Sequence, residues 1–101
     1  MKTLMVATVL VLAGVNGTAL AGNAAAGKAK FAVCAGCHGP TGAGNEALKY
    51  PKLAGLEAGY VKQQLVAFKS GARDNATMKA MTAGLNETDM DNLAAYIATL
   101  K

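Results

Sequence analysis

Two cysteines and the only histidine of the chain fall within five consecutive residues, Cys34-Ala35-Gly36-Cys37-His38. Residues three and four positions apart lie on one face of a helical turn. The two thiols and the imidazole can therefore reach a single bound group together. This motif constrains the fold more than any other feature of the sequence, because the rest of the chain has to be arranged around that group.

The C-x-x-C-H spacing is typical of covalent attachment of a c-type haem. A redox disulfide of the thioredoxin type would lie in a βαβ context, and no strand pattern is visible here. A structural zinc site needs four ligands, usually from two separated pairs, but the chain has no second cysteine pair and no other histidine. The sequence therefore predicts one covalent haem c on Cys34 and Cys37, with His38 as an iron ligand.

The first 21 residues have the three parts of a secretory signal peptide. These are a basic start at Lys2, an apolar run from Leu4 to Val15, and a small-residue cleavage site at Ala19-Leu20-Ala21. The run is shorter than the roughly 20 apolar residues of a membrane-spanning helix, although a retained anchor stays the alternative. We expect cleavage after Ala21, export to the periplasm, and one domain over residues 22–101.

The expected mature domain has a sparse apolar core. It contains ten glycines, no tryptophan and five aromatic side chains. A core of this size contributes only about 3–5 kcal/mol, so small domains usually need a further staple. A haem would supply the missing apolar body. Without Lys2, nine basic and six acidic side chains give a net charge of +3, which haem propionates would offset, so we expect no nucleic-acid partner.

Helical patterns account for most of this domain. Asn23 is a suitable N-cap for a helix over residues 24–34, and a second helix is predicted over 58–70, ended by Gly71. A third begins after Asn86 and carries one apolar stripe, formed by Met90, Leu93, Ala94, Ile97 and Leu100. We expect an all-α fold with three main helices and short turns around one haem.

Two segments read as loops. Residues 36–52 contain four glycines and two prolines. Residues 71–84 are irregular, with at most one short turn around Lys79 to Thr82. The second loop carries Met78 and Met81, either of which could present a thioether to the far side of the iron. Met90 fits core packing better, and a lysine or an open position stays possible for the sixth ligand.

Five pieces of the sequence together resemble the class I c-type cytochromes, and most of all the single-haem halves of bacterial dihaem cytochromes c. The likeness covers residues 22–101. Its pieces, in order, are Gly27-x-x-x-Phe31, the C-x-x-C-H motif, Pro51-Lys52-Leu53-Ala54-Gly55, Tyr60-Val61-Lys62-Gln63-Gln64-Leu65, and Met78 followed by Leu85 and Leu93-Ala94-Ala95-Tyr96.

The resemblance implies roles for these positions. Cys34 and Cys37 would form the thioether links, and His38 would be the proximal ligand. Met78, seven residues before Leu85, would be the distal ligand, with Met81 as the fallback. The carbonyl of Pro51 would accept the imidazole N–H, a contact that fixes the ring and tunes its basicity. Gly27, Phe31 and Tyr96 would form the crossing of the first and last helices. The resemblance implies no role for residues 39–50.

A His/Met pair suits electron transfer, because both axial positions are filled and the potential is raised. We therefore expect a soluble one-electron carrier between redox proteins, and not an enzyme. Two alternatives are a haem enzyme or gas sensor with an open sixth site, and a subunit of a larger redox complex. Six cations could surround the haem edge and attract an acidic partner, or could be ordinary solvated side chains: Lys49, Lys52, Lys62, Lys69, Arg73 and Lys79.

Overall fold

The computed structural model describes residues 22–101, and the predicted signal peptide lies outside the described residues. This part of the chain forms four helices, α1 (Ala24–His38), α2 (Ala58–Ser70), α3 (Ala76–Thr82) and α4 (Glu87–Ile97). An isolated antiparallel bridge joins Asn45 to Tyr50. Over this range no helix is long and apolar enough to cross a membrane. The all-α prediction is confirmed.

Two predicted boundaries are wrong. Helix α1 continues past Cys34 to His38, so the whole C-x-x-C-H motif is helical. The segment predicted to be irregular contains the seven-residue helix α3. Its N-cap is Asn75, whose side chain accepts a hydrogen bond from the Met78 backbone N–H at 2.9 Å. Met78 and Met81 are therefore presented by a helix and not by a loop.

Helices α1 and α4 cross at close range, and Gly27 makes the crossing possible. A Cβ atom at this position would lie 1.9 Å from the backbone oxygen of Asn92. One turn further along α1, the rings of Phe31 and Tyr96 pack with their centroids 5.3 Å apart. The Asn23 N–H donates to the Asn92 side chain at 2.7 Å, which ties the start of α1 to α4.

Helix α4 is the centre of the core. Its N-terminus has a capping box, in which the Asn86 side chain accepts from the Asp89 N–H and Asp89 accepts from the Asn86 N–H. The buried residues of the predicted stripe on α4 meet apolar side chains from α1 and α2. Together they form one cluster: Phe31, Val61, Leu65, Met90, Leu93, Ala94 and Ile97.

The packing order leaves a gap between two helices. Helix α1 packs on α4, α2 packs on α4, and α3 packs on α2. Within residues 22–101, α1 and α3 do not pack on each other. The cleft between them is where the predicted site residues lie.

Candidate functional site

The last turn of α1 carries the two thiols and the imidazole. Cys34 is half-buried, Cys37 is exposed, and no disulfide joins them. His38 is buried, with 7% of its surface exposed. The helix ends directly after it, since Gly39 has a backbone conformation (φ +90°) outside the helical region. The motif therefore lies at a helix terminus beside the cleft.

A backbone carbonyl fixes the His38 ring. Its Nδ1 lies 2.9 Å from the carbonyl oxygen of Pro51. A carbonyl oxygen can only accept, so Nδ1 carries the proton and donates. Within residues 22–101 the other ring nitrogen, Nε2, has no hydrogen-bond partner, and His38 lines the cleft. Histidine binds a metal ion through one ring nitrogen while the other donates to a partner such as a backbone carbonyl, and the Pro51 contact leaves Nε2 available for that role.

The chain between His38 and Pro51 folds back tightly to make this contact. The N–H groups of Leu53 and Ala54 both donate to the Gly42 carbonyl, at 2.8 and 3.0 Å. Gly44 packs so closely against the returning chain that a Cβ atom would lie 2.6 Å from the Tyr50 carbonyl oxygen. Gly44, one of the glycines of the predicted loop, is therefore needed where two backbone segments meet.

Burial and neighbouring groups shift the pKa values of two side chains on the cysteine side of the cleft. Burial raises the pKa of the Cys34 thiol, and the charge that Cys37 carries when ionised raises it further. Hydrogen bonding to Cys37 raises the pKa of the Tyr50 hydroxyl, and the Cys37 charge acts in the same direction.

The opposite wall of the cleft carries both candidate methionines. Two adjoining cavities, of about 280 and 310 Å³, share Val33, Cys34, Met78 and Met81 in their linings. Met78 is half-buried, whereas 42% of the surface of Met81 is exposed. Met90 is buried in the core, as its position on the apolar stripe predicts, and lines neither cavity. The structure thus brings Cys34, Cys37, His38, Pro51, Met78 and Met81 to one cleft.

The cleft fits a haem on these observations. Two unbridged thiols stand one turn apart on one wall, an oriented imidazole with a free Nε2 lies beside them, and thioethers face them. Most of the remaining lining is apolar, as a porphyrin requires. Cys34 and Cys37 would hold the haem covalently, and His38 with Met78 or Met81 would bind its iron. A bound haem supplies reversible one-electron oxidation and reduction of that iron.

Residues with no predicted role in binding the haem also line the cleft. Val33, Leu48, Lys49 and Tyr50 lie near the motif, and Asn75 and Thr77 lie near the methionines. Lys49 has a left-handed backbone (φ +64°) and ends the turn closed by the Asn45–Tyr50 bridge. The sequence held one indication that this turn contributes to the site, namely that it directly precedes Pro51.

Three of the six predicted cations are engaged in contacts within the described chain. Lys62 binds Glu87 at 2.6 Å and Asp91 at 2.7 Å, and these contacts raise its pKa. Lys69 donates to two backbone carbonyls. Arg73 donates to Gln64 and stacks 4.5 Å over the Phe68 ring. Among the residues that the structure describes, Lys49, Lys52 and Lys79 stay free of such contacts.

This fold and site define the class: a small all-helical protein built to carry a covalently attached porphyrin. A scan against family models matches residues 24–101 to the family described as Cytochrome c. The chain belongs to the cytochrome c family. It is an electron-transfer protein with one covalent haem c as its cofactor.

Individual relatives agree with this assignment. Cytochrome c-554(547) of Halothiobacillus neapolitanus is 50% identical over 95 residues, covering 80% of this chain and all of that protein. The thiosulfate dehydrogenase electron acceptor of Stutzerimonas stutzeri is 43% identical over 67 residues, which cover 66% of this chain and 31% of that one.

Among solved structures, reduced cytochrome c4 from Pseudomonas stutzeri superposes with a TM-score of 0.74 at 34% identity. The match covers 83% of this chain and 50% of that one. The chain thus spans all of one relative, about half of another and about a third of the third. The resemblance to a single-haem half of larger cytochromes is confirmed.

Proposed function

We propose that this chain is an exported single-haem electron carrier whose haem is linked through Cys34 and Cys37 and ligated by His38 and Met78. The observation that carries the proposal is the meeting of these four residues around one cleft. Helix α1 supplies three of them and α3 supplies the fourth, although the two helices have no direct packing contact.

The other residues of the site support a carrier in three ways. The Pro51 carbonyl holds the His38 ring in one orientation and one tautomer, and makes Nε2 a better donor to iron. The apolar lining restricts solvent access and thereby influences the potential. If His38 and a methionine both bound the iron, no open position would remain for oxygen or substrate, which favours transfer of electrons over catalysis.

Redox proteins are the expected partners. One relative is named as the electron acceptor of a thiosulfate dehydrogenase, so an oxidoreductase is the class of donor that we propose here. Lys49, Lys52 and Lys79 are the cations that could attract an acidic docking surface on it. Of the six predicted cations, only these three have no side-chain hydrogen bond or ion pair among residues 22–101, and we expect association to show a shallow dependence on ionic strength.

Mass spectrometry and a visible spectrum of the exported protein test this proposal together. The mass should equal that of residues 22–101 plus one haem, and the oxidised protein should show the weak far-red charge-transfer band of a methionine–iron bond. A colourless protein with the mass of the polypeptide alone would contradict the proposal. Retention of residues 1–21 would contradict only the cleavage step.

The Met78→Ala variant tests the distal ligand, with Met81→Ala as its matched control. We expect the Met78 variant to keep its covalent haem, lose the far-red band, lower its potential and bind carbon monoxide when reduced. The Met81 variant should keep the band. The opposite pattern would transfer the ligand to Met81. Avid binding of carbon monoxide by the unmodified protein would instead indicate an open site.

A further inference from the structure

A long-range contact holds the segment that follows α3. The Lys69 ammonium, near the end of α2, donates to the carbonyl of Ala83 at 3.1 Å and to that of Leu85 at 2.5 Å. Both carbonyls lie between the end of α3 and the start of α4. Hydrogen bonds from a charged donor are about twice as strong as neutral ones. Lys69 therefore ties this connection to α2.

Side chains also hold the backbone of Met78 on both sides. Its N–H donates to the Asn75 side chain at 2.9 Å. Its carbonyl accepts from the Thr82 hydroxyl at 2.8 Å. Thr82 has 1% of its surface exposed and is one of the two buried polar residues of the described chain. A buried hydroxyl needs this bond, so the turn from Met78 to Thr82 has one preferred geometry.

These contacts matter because α3 has little else to hold it. It is seven residues long, and α2 is the one helix against which it packs in the described part of the chain. Isolated helices of this length are not stable in water. Met78 and Met81 both line the cleft, and residues three apart on a helix differ by only about 60° around its axis and about 4.5 Å along it. A modest rotation and slide of α3 would therefore bring Met81 to the place of Met78.

We propose that Lys69 is a positioning residue for the distal ligand: by anchoring the end of α3, it keeps Met78 rather than Met81 directed at the iron. The inference rests on the proposed function, in which Met78 is that ligand. Lys69 does not line either cavity and acts through the Ala83 and Leu85 carbonyls.

The test uses Lys69→Met, which keeps most of the aliphatic stem and removes the donors, and Lys69→Arg, which keeps a charged donor. Lys28→Met on α1 is the charge-matched control, because Lys28 is exposed and has no hydrogen bond or ion pair among residues 22–101. The readouts are the far-red methionine–iron band, binding of carbon monoxide to the reduced holoprotein, and the urea midpoint.

We expect Lys69→Met to shift the equilibrium toward methionine-free iron by roughly ten-fold, which corresponds to about 1.4 kcal/mol. Carbon monoxide should bind it about ten times more readily than it binds the Lys28→Met protein. Lys69→Arg should restore both the band and the slow binding. If Lys69→Met does not fold, Thr82→Val, which removes the hydroxyl but keeps the shape, should weaken the band in the same direction.

The inference would be overturned if Lys69→Met lowered the urea midpoint but left the band and the carbon monoxide binding unchanged. Lys69 would then be merely structural. An unchanged band in Thr82→Val, where that variant has to be used, would also overturn it. Failure of the proposed function looks different, because the unmodified protein itself would then lack the band or keep it in Met78→Ala.

Discussion

The crossing of α1 and α4 should not tolerate a side chain at Gly27. In Gly27→Ala, the new Cβ would lie 1.9 Å from the Asn92 oxygen and 2.9 Å from the Tyr96 Cβ. Ordinary contacts lie near about 3.5 Å, so the helices must separate by more than about 1 Å. Overpacking of this kind costs about 1–3 kcal/mol, and the upper end applies because the closest atom belongs to a backbone.

The gain in helix propensity from glycine to alanine, about 1 kcal/mol, opposes this cost. A net loss of about 2 kcal/mol follows, and for a domain of this size it lowers the melting temperature by about 10 °C. Thermal unfolding of the holoprotein, followed by far-ultraviolet circular dichroism, measures it. Gly59→Ala on α2 is the matched control, because its Cβ would meet nothing within 4 Å, and it should be neutral or stabilising. Equal melting temperatures for the two variants would refute the account of the crossing.

Two further predictions concern α4. Leu93→Ala removes a side chain that is 1% exposed at the centre of the core, so urea unfolding should show a loss of about 3–5 kcal/mol; a loss below 1 kcal/mol would contradict the packing described. Hydrogen bonding from the Asn86 N–H, with a smaller effect of Lys30, lowers the pKa of Asp89 below its ordinary value of 3.8. The Asp89 charge therefore stabilises the fold above pH 3.8, and this stabilisation is lost as the pH falls through the lower folded pKa. Asp89→Asn should be less stable than the unmodified protein at pH 7, and the two should become equally stable in acid. A difference in stability that stays constant with pH would exclude the ionic contribution.

Sequence periodicity was sufficient to predict a helix where the helix is long and has a capping residue. Helix α4 shows an asparagine cap, acidic residues in its first turn and an apolar stripe, and all three are local signals. Helix α3 is too short to show a stripe. A local helix signal was present, since Asn75 is a possible N-cap and is followed by alanine, methionine and lysine residues. The flanking glycines Gly71 and Gly84 nevertheless favoured the prediction of a loop.

The candidate site was predictable in part. The C-x-x-C-H motif has a chemical meaning by itself, and it located three residues of the cleft. The His38–Pro51 contact joins residues 13 positions apart in the sequence, so no local rule produces it, and it was expected only from the family resemblance. The contacts of the cations were not predictable either, because Lys62 and Lys69 bind partners that lie 14 to 29 residues away along the chain.

Helices α1 and α3 have no direct packing contact in the described chain, so a bound cofactor would also act as a structural element. Helix α1 is held by α4, and α3 is held by α2, so in the described chain the two walls of the cleft are connected only through the core. A group linked to Cys34 and Cys37 and bound by Met78 would join the walls directly, which the sparse core does not do. Ligation by Met78 would then be coupled to folding, as metal binding is in other small metal-binding domains. The contacts that anchor α3 would therefore affect the iron and the stability of the fold at the same time.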